Sequence, residues 1–95
     1  MRWAWRVQVV MQGRLRIIGG KGFEVTVTDL TTDGCSILLP ETQLRERQKV
    51  SIKLESLDFV TGRIRRFDAT AADIEFDKPL YGPVIEHLQQ QYFRK

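Results

Sequence analysis

Arg2 and Arg6 are the first residues of this chain whose type and spacing suit recognition chemistry. A guanidinium is planar, permanently charged, and able to bond phosphate or the O6/N7 edge of guanine bidentately. It also stacks on a base. In extended chain, residues i and i+4 share a side and lie about 13 Å apart. Arg2-Trp3-Ala4-Trp5-Arg6 therefore offers two cations to different parts of one ligand, with Trp3 and Trp5 directed the other way. Further along stands Asp29-Leu30-Thr31-Thr32-Asp33-Gly34. A carboxylate at Asp29 accepts two hydrogen bonds from the N1–H and N2–H₂ edge of guanine, and Thr31 supplies a hydroxyl that donates or accepts. Gly34 permits a positive φ and close approach of a ligand to the backbone. Leu30 is expected in the core, orienting its two polar neighbours. The alternative for this segment is a plain loop in which Asp29 and Thr31 satisfy backbone amides. Together the two motifs suit a ligand that is both anionic and guanine-like.

The other polar residues offer less. His87 is the only histidine, without carboxylates or thiols at ligand spacing, and is expected on a helix surface. Asp73, Glu75 and Asp77 recur at every second position, as on a solvated strand face. No nucleophile has an evident base, so a non-enzymatic protein is expected, with no metal or cofactor. Cys35 is the single cysteine and is expected to be a small buried hydrophobe, since it has no internal disulfide partner.

The elements that must position these residues follow a period of two. Trp3, Trp5, Val7, Val9 and Met11 alternate with Ala4, Arg6, Gln8, Val10 and Gln12, and Leu15 and Ile17 continue the pattern after a possible break at Gly13. Gly19-Gly20-Lys21-Gly22 has the composition of a hairpin turn. Phe23, Val25 and Val27 mark a second strand, Cys35 to Leu39 a third, and Val50, Ile52 and Leu54 a fourth. Residues 59–66 form a fifth, with Arg63 and Arg65 on its polar face, and Thr70 to Asp77 a sixth. Residues 41–48 read as a polar connection with room for a helical turn. The period then changes. Pro83 suits the first helical position. Val84, Ile85, Leu88 and Tyr92 fall on one helical stripe, and Arg94 and Lys95 complement a helix C-terminus. The expected fold is all-β with one helix: a six-stranded antiparallel β-barrel over 7–78, then a C-terminal α-helix over 82–93, with 1–6 as an arm.

Ninety-five residues make one domain, and 42% apolar with 28% charged residues is ordinary for a globular one. No apolar run is long enough to span a bilayer. No apolar segment with a cleavage site follows Arg2 and Arg6, so a reducing cytoplasm is expected. Net charge is +3, yet residues 1–22 hold five basic residues and no acid, which attracts phosphates.

The order Arg-x-x-x-Arg, basic first strand, Gly-rich hairpin, short second strand and Asp-x-Thr-x-x-Gly resembles the PilZ domain family across the whole chain. Val7, the run Val25-Thr26-Val27-Thr28-Asp29-Leu30, Cys35-Ser36-Ile37 and Asp73-Ile74-Glu75-Phe76 fit the family layout, with Thr31 where the family has serine. The resemblance implies a bacterial receptor for cyclic di-GMP. Arg2 and Arg6 would grip phosphates and the guanine Hoogsteen edge, Asp29 would read guanine N1/N2, Thr31 would keep the hydroxyl, and Gly34 would keep the backbone close. Arg65 or Arg66 would add a third cation. The arm would be mobile without ligand and fold over it on binding, and a downstream protein partner would read the change. Two other readings stand beside this one. The first is a module of the same fold that docks on proteins without using the ligand. The second is a small basic barrel that binds single-stranded nucleic acid, although nucleic acid is not the expected partner.

Overall fold

A computed structural model of the chain describes residues 7–38, 44–55 and 57–92. The arm 1–6, with Arg2, Arg6, Trp3 and Trp5, lies outside the described residues, as do Leu39, Pro40 and the terminal Arg94 and Lys95. Six strands are β1 (Val7–Ile17), β2 (Gly22–Leu30), β3 (Gly34–Leu38), β4 (Lys49–Leu54), β5 (Phe59–Phe67) and β6 (Ala71–Phe76), followed by helix α1 (Gly82–Tyr92). They form a closed antiparallel barrel in the order β1-β2-β3-β6-β5-β4, in which β1 also pairs with β4. Closure leaves no sheet edge open to a second chain. No helix among the described residues is long and apolar enough to cross a membrane.

Alternation makes the barrel interior. Val7, Leu30, Cys35, Ile74 and Ile64 are register partners in succession around five strands, and all are buried. Met11, Val27, Ile37 and Ala72 form the next layer. Ile85 and Leu88 of α1 are buried in the same cluster, with Val84 and Tyr92 packed at its margin. Burying such a side chain contributes roughly 1.5–3 kcal/mol, so the stripe fastens the helix to the barrel.

Two backbone details depart from the sequence pattern. Gly13 does not interrupt β1. It pairs with both Val25 and Leu54, and the lost side chain lets the Lys53 carbonyl approach. Residues 44–48 form no helical turn. A bond from Gln48 N–H to the Arg45 carbonyl (3.2 Å) closes a tight turn, and Arg47 within it has φ 62°. The β1–β2 hairpin matches its composition: Gly20 N–H bonds the Ile17 carbonyl at 2.8 Å, and Gly19 between them has φ 81°, where a side chain would be strained.

Candidate functional site

Val25 and Val27 face the interior, and strict alternation would send Asp29 inward as well. The structure turns it outward by a slip of register. Val27 pairs with Ile37 and Asp29 with Ser36, so β2 spends two steps where β3 spends one. This β-bulge at Thr28 leaves Leu30 fully buried and Asp29 half-buried on the outer face. Thr28 is tied across the irregularity by its hydroxyl, which donates to the Ser36 carbonyl at 3.4 Å. Two further register shifts occur in the barrel, one between Gln8 and Met11 of neighbouring β1 and one between Ile64 and Arg66 of β5, across the ring. Bulges re-aim side chains, and they concentrate at barrel rims and beside functional sites.

Between these shifts runs a polar row across five strands. Gln8 stands opposite Asp29, Asp29 opposite Ser36, Ser36 opposite Asp73, and Asp73 opposite Arg66. Ser36 donates its hydroxyl to Asp73 Oδ1 at 2.8 Å. Asp29 accepts no side-chain hydrogen bond from any described residue, so its carboxylate is available to a donor from outside. Arg66 is exposed at the other end, on β5, three strands round the closed barrel from Asp29. Arg65, the extra residue of the β5 bulge, is half-buried and already engaged in the fold.

Thr31 behaves differently from Asp29. It is 3% exposed, and its hydroxyl is spent on its own loop. Oγ1 accepts from Asp33 N–H and Gly34 N–H, both at 3.0 Å, and donates to the Gly34 carbonyl at 3.3 Å. Gly34 opens β3 opposite Glu75, and it is buried. The left-handed backbone among the described residues belongs to Gly19 and Arg47, not to Gly34. The loop is also held from outside. Phe76 N–H bonds the Asp33 carbonyl (2.8 Å) and Leu80 N–H bonds the Thr32 carbonyl (2.7 Å). The turn after Asp29 is therefore a preformed corner, fixed by one hydroxyl and two amides from the segment leading into α1.

Periodicity alone reads Ser36 as a residue of the third strand and Asp73 as part of a solvated face. Register makes them the continuation of Asp29. Beneath the row, Cys35 is a free, fully buried thiol. Burial first, and the Asp73 carboxylate second, push its pKa far up, so it stays neutral. No group of three or more His, Cys, Asp or Glu suited to a metal ion exists among the described residues.

No protein-family model matches the chain, and no curated protein matches it either. Among solved structures it is similar to the crystal structure of YcgR in complex with c-di-GMP from Escherichia coli. The TM-score is 0.65 at 14% identity, over 95% of this chain and 43% of that one. The chain thus spans less than half the length of the YcgR chain it matches. Likeness at this identity is likeness of fold: a closed six-stranded antiparallel barrel with a C-terminal helix, of the PilZ-like type.

Proposed function

We propose that this domain binds cyclic di-GMP on the outer face at Asp29, and that Arg2 and Arg6 close over the ligand from the N-terminal side. One observation carries the reading. Val7 pairs with Leu30 and Gln8 with Asp29, so the chain enters the barrel beside the Asp29 corner. Arg6 precedes Val7 directly, and consecutive Cα atoms are about 3.8 Å apart, so the covalent path from Arg6 to that corner is short. The likeness in fold to YcgR, a protein solved with c-di-GMP, supports the same ligand.

The roles divide by chemistry. Asp29 accepts from the guanine N1–H and N2–H₂ edge. Arg2 and Arg6 bind phosphates and the guanine Hoogsteen edge. Thr31 and Gly34 shape the corner that presents Asp29. Contacts made only in the closed arm shift the population toward it, and a downstream protein partner reads that state.

Calorimetric titration of the protein with cyclic di-GMP, with GTP as control, tests the reading. Saturable binding of the cyclic dinucleotide alone is expected. Arg6→Ala or Arg2→Ala removes charge-assisted bonds that contribute roughly 1.5–3 kcal/mol, about tenfold or more in Kd. A flat titration, or unchanged affinity in both variants, rejects it.

A further inference from the structure

The barrel carries a second charged face, centred on β4 and flanked by β1 and β5. The outward positions of β1, β4 and β5 fall into register rows. Arg14 stands opposite Lys53, which stands opposite Phe59. Arg16 stands opposite Ser51, which stands opposite Thr61. Lys49 stands opposite Arg63. Their chain neighbours Leu15, Val50, Ile52 and Ile64 are buried, which fixes these side chains on the outside. Five of the eight positions are cations and none is an acid. The nearest carboxylates, Glu24, Glu55 and Glu75, lie at the border, Glu24 opposite Arg14 and Glu75 opposite Arg63.

Two of the rows set like charges directly opposite, Arg14 against Lys53 and Lys49 against Arg63. Such pairs destabilise a sheet. All five cations are exposed, and only the Lys53 ammonium has a partner among the described residues, the Leu57 carbonyl at 2.6 Å. Repulsion held in place over three strands is relieved by an anion that bridges them. Ser51, only 7% exposed, forms a low floor between the cations. Phe59, 50% exposed, stands beside Lys53 as a flat apolar platform.

We infer that this β1–β4–β5 face binds the backbone of a single-stranded nucleic acid, the cations on successive phosphates and Phe59 under a base. A basic track with an aromatic stacking platform is the usual sequence-tolerant mode of single-strand binding. Curvature selects the strand. The face is the convex outside of a closed six-stranded barrel, which a flexible strand follows and a flat bilayer meets along a line. The face shares no residue with the Asp29 row, so it stands or falls independently of the cyclic dinucleotide.

Fluorescence anisotropy of a labelled oligothymidine of about 15 nucleotides, titrated with the full chain, tests this. With five phosphate contacts, the slope of log K against log salt is about −3.5. Affinity then falls roughly a hundredfold between about 50 and about 200 mM salt. Lys49→Gln with Arg63→Gln, and separately Arg14→Gln with Lys53→Gln, should each cut the slope to about −2. Melting temperatures should change little, because each variant loses a like-charge pair and one opposite-charge pair, Arg14 with Glu24 or Arg63 with Glu75. Phe59→Ala should weaken binding without altering the slope. No binding at the lower salt overturns the proposal, as does wild-type affinity and slope in both neutralised variants. So does preferential binding of anionic phospholipid vesicles or of polyglutamate over the oligonucleotide.

Discussion

Gln8 and Asp29 face each other across β1 and β2, one residue beyond the Val7–Leu30 pair that opens the barrel. That pairing brings the chain into the barrel, at Val7, beside the Asp29 corner. The corner does not wait for a ligand to form. Its hydroxyl, its two tethering amides and the bulge at Thr28 hold Asp29 outward with an open carboxylate. The acidic half of the proposed site is therefore preorganised, which lowers the cost of binding.

Thr31→Ala should destabilise the fold by about 1–3 kcal/mol, because the Gly34 amide is buried and loses its acceptor along with that of Asp33. Thr31→Ser should restore nearly all of it. Denaturant unfolding of the three proteins measures this, and equal midpoints would contradict the loop assignment.

Gly62→Ala should be among the most damaging single changes. Gly62 is buried on β5, and a Cβ there would overlap the Glu75 backbone carbonyl of β6, which has no flexible end to yield. The strands must part or shift, at about 1–3 kcal/mol or more. Gly19 has open space around a side chain but φ 81°, so alanine there acts through backbone strain alone. Thermal melts should therefore rank Gly62→Ala as the more damaging of the two.

Cys35 should resist thiol reagents in the native protein and react once it unfolds. Its pKa is raised in the fold, so the folded state holds its proton more tightly than the unfolded state. The resulting stability is fully present below the unfolded thiol's value, roughly 8.5, and declines as pH rises above it. Unfolding midpoints measured from neutral to alkaline pH should fall faster for wild type than for Cys35→Ala. Parallel curves would contradict the linkage.

Much of the fold was legible because alternation is local. Val7 to Met11, Phe23 to Val27 and Val50 to Leu54 announce strands from neighbouring residues, and Ile85 and Leu88 announce the helix by their spacing. The bulges were not legible as such. Their one trace is the three-residue step from Val27 to Leu30 within a period of two, and register with β3 is what resolves it. Asp29 and Leu30 were readable as a surface–core pair. Ser36, Asp73 and Arg66 join them only through pairings between strands distant in sequence. The same holds for the cationic face, since Arg14, Lys53 and Arg63 meet only when the barrel closes. Thr31 had two readings from its type alone. Its burial and three loop bonds favour the one in which it serves the backbone.

Trp3 and Trp5 are the only tryptophans in the chain, and both lie in the segment assigned to close over the ligand. Their fluorescence therefore reports on that segment alone. Titration with cyclic di-GMP should give a saturable change in tryptophan emission that GTP does not produce, and Asp29→Ala should weaken it about tenfold or more, through loss of bonds to the guanine edge. Binding seen by calorimetry with no change in emission, or an emission change indifferent to Asp29→Ala, would contradict an arm that closes on this corner.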